Sequence, residues 1–440
     1  MSADNRPVST ECTGTDTAAA MASGAAGGAE SALSAAGAAA ASGVAPLAEG
    51  VDRMKKLASM LIGAGLLICV VTLFFEGGLD RFGFAYLWGF AFLWTVVLGC
   101  LFFVALQHVT HAVWSVVVRR IAEMFAAPIG VVALLFLPVA LFALLPGSFS
   151  VFPWSDPGVV TGDALLEGKR PYLNVPFFIA RAALFFVIWT LFTNFFVKRS
   201  LLQDEGVGGE AATKAMRRWS APFIVIFALT ITFAAFDWLM SLEPHWFSTI
   251  FGVYIFAGMT LVGLAVITIA VVWMRAKGRL GDRIVTDEHL YSLGALTFAF
   301  TCFWAYIGFS QFMLIWYGNI PEETVYYMHR IDNGWLGISL LVVALRFVLP
   351  FFLLLSRDAK MNPKLLVTTS VVVIVGQFVD LYWLIMPQAH SAAPRLGWQD
   401  FGPPLIAIGV LIFCMARFLK RHRTMAVGDP LFKESCEFYL

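Results

Sequence analysis

The sequence predicts an all-α polytopic membrane protein with about ten transmembrane helices, each long enough to cross a bilayer. Of the 440 residues, 59% are hydrophobic and only 13% are charged. A soluble domain carries about 25% charged residues, and it needs enough polar surface to face water. A lipid environment removes that requirement. The formal net charge of +1 gives no indication of a nucleic-acid partner.

Ten segments are long and apolar enough to be membrane helices, which need about 20 mostly apolar residues. The shortest separator, residues 242–246 (LEPHW), lies between the fifth and sixth segments. Its combination of Glu, Pro and His predicts a tight hairpin. The predicted spans are residues 57–75, 84–107, 126–146, 174–197, 221–241, 247–273, 290–317, 333–355, 364–386 and 401–419.

Basic residues are concentrated in alternate connections between the spans. Because basic loops remain in the cytoplasm, both termini are predicted to be cytoplasmic, and the loops that contain Glu243, Glu322 and Arg395 are predicted to face outward. The longest outward loop, residues 147–173, is long enough either to fold over the surface or to contact a partner. The basic residues of the cytoplasmic set are Arg53, Lys55, Lys56, Arg119, Arg120, Lys198, Arg199, Lys214, Arg217, Arg218, Arg275, Lys277, Arg279, Arg283, Arg357, Lys360, Lys420, Arg421 and Arg423.

The spans define a transmembrane domain over residues 51–420, with a tail at each end. Residues 1–50 are rich in Ala, Gly and Ser and lack the pattern of a secretory signal peptide, so we predict a disordered tail. Residues 421–440 are predicted to form a cytoplasmic C-terminal tail. The cysteines form no CxxC or CxxCH pair, so the signatures of haem c, iron–sulfur clusters and structural zinc are absent. They are Cys12, Cys69, Cys100, Cys302, Cys414 and Cys436.

Four ionisable residues lie within predicted spans, where each costs about 2.5–3.5 kcal/mol on insertion scales. They are Arg181 in the fourth span, Asp237 in the fifth, Arg346 in the eighth and Asp380 in the ninth. All four lie in the outward half of the membrane. Two Arg and two Asp allow two ion pairs. These pairs either fix helix packing or form a polar site for proton transfer or for a polar ligand.

The same four residues indicate an internal repeat. An Asp precedes a Pro by seven residues at the ends of the fifth and ninth spans, at Asp237 with Pro244 and at Asp380 with Pro387. The span before each Asp carries the Arg. The pattern predicts two four-helix bundles, spans two to five and six to nine, with one flanking helix at each end. Membrane proteins with such repeats often bind ligands between them.

Three histidines merit attention in the sequence. His108 and His111 are three residues apart, a spacing that places two side chains on one helix face. They suit either metal or haem ligation or, more simply, the membrane interface beside Arg119 and Arg120. His245 follows Glu243 at the outward rim, near Asp237, and histidine changes its charge close to physiological pH.

The seventh span carries polar side chains in an aromatic context. Tyr306, Ser310 and Tyr317 recur at near-helical spacing with Gln311 beside them, so they are predicted to form one polar stripe or ordinary helix–helix hydrogen bonds. Beyond the span, Glu322 and Glu323 stand at the outward rim. There they either exchange protons or are simply solvated.

Two stretches carry a resemblance to a known family. Residues 236–252 read FDWLMSLEPHWFSTIFG, and residues 303–311 read FWAYIGFSQ and are followed at 314–324 by LIWYGNIPEET. Both resemble the ActF-type membrane subunits of bacterial alternative complex III, in the NrfD-like (polysulfide-reductase membrane subunit) superfamily. The resemblance runs from about residue 51 to the C-terminus and leaves out the Ala-rich tail.

The resemblance implies a ten-helix protein of the bacterial cytoplasmic membrane within a quinol:electron-acceptor (cytochrome c) oxidoreductase. The complex would pass electrons from quinol to periplasmic subunits that carry iron–sulfur clusters and haem c. This chain would hold no redox centre and would not be catalytic alone. It would contact membrane lipids and a paralogous NrfD-like subunit, and it would contribute a proton-translocation path or a quinone-associated bundle.

Depth and charge select the residues that such a path would use. Arg181 and Arg346 are the predicted buried charge partners. The proton-path candidates are Asp237, Glu243, His245, Asp380, Tyr306, Glu322 and Glu323.

Two other functions fit the same features. A secondary transporter would also have internal repeats and midplane charges, but its helices would be broken at equivalent positions of the two halves. Pro128 and Pro138 in the third span and Pro350 in the eighth are not equivalent in the predicted repeat. A structural anchor without any pathway is the third reading.

Overall fold

A computed structural model describes residues 48–75, 77–145, 151–280, 284–390 and 393–439. Every regular element in these residues is helical, and ten helices are long and apolar enough to cross a membrane. The predicted all-α polytopic fold is therefore confirmed. The ten spans are α1 (Ala48–Thr72), α2 (Gly78–Val109), α3 (Val113–Leu144), α4 (Val175–Asp204), α5 (Gly209–Leu242), α6 (Phe251–Ala276), α7 (Asp287–Gly318), α8 (Trp335–Leu353), α9 (Pro363–Ile385) and α10 (Trp398–Arg421).

The spans pack as two four-helix bundles with two flanking helices, as the sequence predicted. In the first bundle α2 packs on α3 and α5, while α4 packs on both α3 and α5. In the second bundle α6 packs on α7 and α9, while α8 packs on both α7 and α9. The helices α2 and α6 form the centre of the molecule and are its most buried spans. The same pattern of contacts in both bundles is what a repeat requires.

The two bundles meet where α2 crosses α6, and glycine sets the distance between the helices. A Cβ atom on Gly99 would lie 2.1 Å from the carbonyl oxygen of Met259 on α6, and a Cβ on Gly263 would lie 2.7 Å from the carbonyl carbon of Gly99. Each glycine therefore faces the backbone of the other helix. Small residues are the usual means by which membrane helices approach closely.

The flanking helices α1 and α10 pack on each other beside the bundles, again through glycine. A Cβ on Gly65 would lie 2.6 Å from the carbonyl oxygen of Gly402, and one on Gly409 would lie 3.0 Å from the carbonyl oxygen of Ala58. The helix α10 also packs on α2, so the pair is attached to the first bundle.

The third span differs from its prediction. It begins at Val113 rather than at residue 126, so Arg119 and Arg120 lie in a helix rather than in a solvated loop. Both are buried in an ion cluster. Arg119 binds Asp429 at 2.6 Å and Arg120 binds Asp204 at 2.7 Å. Hydropathy did not predict this extension, because the charged residues of the buried ion cluster interrupt the apolar segment in the sequence.

The C-terminal segment supplies part of that cluster. Residues 422–439 pack against the ends of the helices instead of extending away from them, and Asp429 and Ser435 are buried. The Ser435 hydroxyl donates to the carbonyl oxygen of Trp114 at 3.1 Å. The predicted N-terminal tail, by contrast, lies outside the described residues except for its last three, which belong to the first turn of α1.

The predicted pairing of His108 with His111 on one helix face is wrong. The helix α2 ends at Val109, and His111 has a φ of 52°, in the left-handed region. His108 is buried and stacks on Phe196 with 5.6 Å between the ring centroids, whereas His111 is exposed.

Candidate functional site

The first bundle holds its buried charges in a complete ion pair. Arg181, on the second turn of α4, donates from Nε and Nη2 to the two carboxylate oxygens of Asp237 on α5, at 2.7 and 2.9 Å. Its Nη1 donates to the carbonyl oxygen of Tyr172 at 3.0 Å. The guanidinium also lies over the rings of Tyr172 and Phe177. Every face of Arg181 is thus in contact, in the bidentate geometry that makes such pairs strong.

The second bundle holds the corresponding residues more loosely. Arg346 Nε lies 3.5 Å from Asp380 Oδ2, and all three guanidinium nitrogens lack a hydrogen-bond partner among the described residues. The ring of Trp304 lies under the guanidinium at 4.9 Å. The other carboxylate oxygen of Asp380 accepts from the Tyr254 hydroxyl at 2.5 Å. Both charged residues are buried, so the second pair is enclosed but incompletely bonded.

The backbone around Arg346 is distorted. Residues Ala344–Val348 form a single π-helical turn within α8, a feature that often marks functional sites. Two glycines make space for the side chain. A Cβ on Gly258 of α6 would lie 2.7 Å from Arg346 Nη2, and one on Gly376 of α9 would lie 3.0 Å from Arg346 Cδ.

Glu243, a proton-path candidate from the sequence, forms an ion pair. Its Oε1 accepts from Arg330 Nη2 at 2.6 Å. Arg330 is buried between α7 and α8 and also donates to the carbonyl oxygens of Tyr326 and Leu384. Arg330 was not among the candidate residues, because it lies in a connection rather than in a span.

Tyr326 connects this outer ion pair with the buried centre of the second bundle. Its ring lies 3.6 Å below the Arg330 guanidinium and stacks on Trp246 with 3.8 Å between the centroids. Burial raises the pKa of Tyr326. The charge of Arg330 lowers this pKa, and the charges of Glu243 and Asp380 raise it. The phenol therefore stays protonated. Its oxygen has no hydrogen-bond partner among the described residues.

His245 lies at the surface and joins the long outward loop, not Asp237. Its Nε2 lies 2.6 Å from Asp163 Oδ2, and Lys169 donates to the carbonyl oxygen of Pro244. Of the two alternatives for loop 147–173, the described part, residues 151–173, folds over the surface. Its Trp154 packs against Phe178 of α4.

The seventh span does not form the predicted polar stripe. Tyr306 and Tyr317 are 66% and 86% exposed on the surface of the helical bundle, whereas Gln311 is buried. Glu322 is exposed and Glu323 is half-buried in the first turn of the short helix Pro321–Met328, where carboxylates interact favourably with the helix dipole. In the part of the chain that the structure describes, neither Glu forms an ion pair with the two Arg–Asp centres.

No group of three or more His, Cys, Asp or Glu side chains that suits a metal ion occurs among the described residues. The five cysteines in these residues are free thiols. The second bundle instead holds two groups of proton-bearing side chains. Glu243 and Tyr326 both contact Arg330, and the Tyr254 hydroxyl donates to Asp380.

Two of these side chains, Tyr326 and Tyr254, and the Arg330 that pairs with Glu243 were not predicted from the sequence. Arg330 and Tyr326 lie in the connection between α7 and α8, and Tyr254 is one polar residue in the apolar helix α6. The predicted repeat gave one indication of Arg330. Glu243 lies in the connection between the two bundles, so its partner was to be expected at the outer end of the second bundle.

Comparison of the chain with models of known protein families and with curated proteins gives no match. The fold and the buried charges define a multi-pass helical membrane protein.

Proposed function

We propose that this chain is a membrane subunit, without its own redox centre, of a quinol:electron-acceptor (cytochrome c) oxidoreductase, and that its second bundle carries a proton path. The complex would lie in the bacterial cytoplasmic membrane and hold quinol, iron–sulfur clusters and haem c in other subunits, including a paralogous NrfD-like one. The resemblance of residues 236–252 and 303–324 to ActF-type subunits supports the complex. The geometry of the second bundle supports the path.

The observation that carries the path is the loosely held carboxylate of Asp380. A proton carrier must exchange its proton with a neighbour within hydrogen-bond reach or through one water. The Tyr254 hydroxyl meets this condition at 2.5 Å from Asp380, and Arg346 at 3.5 Å leaves the carboxylate without a bidentate partner. Glu243, whose side chain is 10% exposed, gives the path an outer end.

Asp237 takes no part in this path, although it was a sequence candidate. Both of its carboxylate oxygens accept short hydrogen bonds from Arg181, and the pair acts as a packing element of the first bundle. His245, Tyr306, Glu322 and Glu323 have surface positions and are assigned no step.

A secondary transporter is less well supported. Transporters break their helices at equivalent positions of both repeats. The π-helical turn lies in α8, whereas its counterpart α4 is a continuous helix from Val175 to Asp204.

The first experiment is purification of the chain from native membranes in mild detergent. We expect copurification with subunits that carry haem c and iron–sulfur clusters, detected by optical and paramagnetic resonance spectra and by peptide mass spectrometry. Purification of the chain alone, with no haem absorbance, would contradict the assignment to such a complex.

The second experiment tests the path in the intact complex reconstituted into liposomes. Tyr254→Phe removes the hydroxyl that bonds Asp380 and keeps the ring, and Tyr306→Phe is the matched control at an exposed position. We expect Tyr254→Phe and Asp380→Asn to lower the number of protons moved per electron, with quinol oxidation by the uncoupled complex retained. If both variants moved as many protons per electron as the wild type, the proton path would be excluded and a structural anchor would remain as the function of the chain.

A further inference from the structure

A cavity of about 740 Å³ lies in the second bundle, and two residues of the proposed path, Tyr254 and Tyr326, contribute to its wall. It runs between α7 and α8, from Leu336 at the outer end of α8 to Phe351 near its inner end. At about 1.5 Å per residue this stretch of helix is about 22 Å long. A single leaflet of hydrocarbon is about 15 Å thick, half of the bilayer core. The cavity is therefore a groove parallel to the helices and long enough for one extended lipid chain.

The groove opens sideways towards the surrounding lipid. Tyr306, Phe309 and Leu340 line it and are each more than 60% exposed. Trp304 and Val342 form its buried floor. Aromatic and aliphatic side chains provide nearly all of the lining. A cavity of this character favours an apolar occupant over water.

The outer end of the groove is more polar than its inner end. Gln311, Tyr327, Arg330 and Ser339 line that end, whereas Phe347 and Phe351 line the inner end together with the thiol of Cys302. The occupant must therefore keep its polar head outward and its chain inward.

The outer end demands a particular kind of head. Arg330 is the one charged residue among the described lining residues, and Glu243 neutralises it. The Ser339 hydroxyl already donates to the Arg330 carbonyl oxygen and accepts from Trp383. Gln311 is 5% exposed, and its Oε1 has no hydrogen-bond partner among the described residues. The outer end therefore favours a lipid head that donates a hydrogen bond and carries no net charge as a whole.

We propose that this groove binds one acyl chain of a zwitterionic diacyl lipid, with its head at the outer rim and an ammonium or hydroxyl donor towards Gln311. The inference does not depend on the proposed proton path. A bound chain seals the side of the bundle that contains Tyr254 and Trp304, both of which line the groove.

The test uses the purified membrane protein in nanodiscs that contain phosphatidylethanolamine with a photoreactive diazirine at the end of one acyl chain. After illumination, labelled peptides are mapped by mass spectrometry. We expect severalfold enrichment of label at the inner end of the groove, around Cys302 and Phe351, over the lipid-facing surfaces of α4 and α5. Even labelling of all lipid-facing helices would overturn the proposal.

A matched pair of variants tests the same site. Val343 lines the groove and Val225 faces outward on α5, and both are exposed. Val343→Phe narrows the groove and is expected to lower the labelling of its inner end severalfold, while Val225→Phe leaves it unchanged. Equal labelling of the inner end in the two variants would contradict the proposed site. If Val343→Phe fails to fold, the labelling pattern of the wild-type protein decides whether the groove binds the chain.

A competition arm identifies the source of the chain. Excess short-tailed ubiquinol is expected to leave the labelling of the inner end unchanged. Loss of the label on its addition would show that an isoprenoid quinol is the occupant and would overturn the assignment to a diacyl lipid. The outcome is independent of proton pumping, so failure here is distinguishable from failure of the proposed function.

Discussion

The first and second bundles contain the same pair of charges in two different states. Arg181 and Asp237 share two short hydrogen bonds and a cradle of aromatic rings. Arg346 and Asp380 share one contact of 3.5 Å, and the Arg nitrogens have no hydrogen bond to the described residues.

Under the proposed function, the difference separates a structural role of the first pair from a chemical role of the second. A buried ion pair is tolerated when geometry and extra hydrogen bonds compensate for the lost hydration. The first bundle meets that condition fully and the second only in part. A repeat can thus keep the residues that stabilise one half and release the equivalent residues of the other half for proton exchange.

The largest effect is expected from Asp237→Asn. It leaves the buried guanidinium of Arg181 without a counter-charge, and removal of one partner of a buried pair costs about 3–5 kcal/mol. We expect that loss in the free energy of unfolding, measured by titration with SDS in mixed micelles. The control is Glu210→Gln, which breaks the exposed pair with Lys214 and should leave the free energy of unfolding almost unchanged, because solvent screens such pairs. Similar losses in the two variants would remove the structural role of the first pair.

Double-mutant cycles compare the two pairs directly. Arg→Gln and Asp→Asn are made singly and together at each pair, and the unfolding free energies give the coupling. Couplings between contacting residues span about 0.5–3 kcal/mol, and we expect about 3 kcal/mol for Arg181 with Asp237 and about 1 kcal/mol for Arg346 with Asp380. Equal couplings would show that the longer distance between Arg346 and Asp380 does not weaken their interaction.

Gly258→Ala sharpens the comparison at the second pair alone. The added methyl group would lie 2.7 Å from Arg346 Nη2, and overpacking of this kind costs about 1–3 kcal/mol. Gly337→Ala, where the new Cβ meets nothing within 4 Å, is the control and should be neutral or stabilising by up to about 1 kcal/mol. The two values come from unfolding in mixed micelles. A loss at Gly258 no larger than at Gly337 would mean that Arg346 is free to move aside.

The smallest effect concerns the loop that covers the first bundle. Hydrogen bonds from the Leu166 backbone and then from His245 lower the pKa of Asp163 below its ordinary value of 3.8. A depressed carboxylate pKa stabilises the folded loop above the ordinary value, and this contribution disappears as the pH falls through the folded-state value. Proteolysis of residues 151–173 should therefore change little from pH 7 to pH 5 and rise below 3.8.

Asp163→Asn provides the matched control for that pH dependence. The loop of this variant should be cleaved faster than that of the wild type at pH 7, and its acid-induced increase should be smaller. Identical pH profiles for the two proteins would exclude Asp163 as the residue that holds the loop.

Span number, bundle arrangement and the two Arg–Asp pairs were accessible from the sequence, because burial of charge in lipid restricts where such residues occur. The Arg119 cluster was not accessible, since its partner Asp429 comes from the far end of the chain. Arg330 was not predicted as a site residue, because a basic residue in a connection is ordinarily interpreted as an indicator of membrane topology. The groove beside α7 could not be predicted from the sequence. That helix is apolar on most of its faces, and the spacing of apolar residues is the same whether a face contacts lipid or lines a cavity.

The crossing of α2 and α6 has one more consequence. Gly99 and Gly263 each face the backbone of the opposite helix, so the seam is self-complementary, as in the isologous interface of a two-fold dimer. One glycine in an ancestral unit of four helices would furnish both sides of such a seam when two copies met. Fusion of the two copies into a single chain then required no new residue at the junction, and each half was free to diverge in its charges.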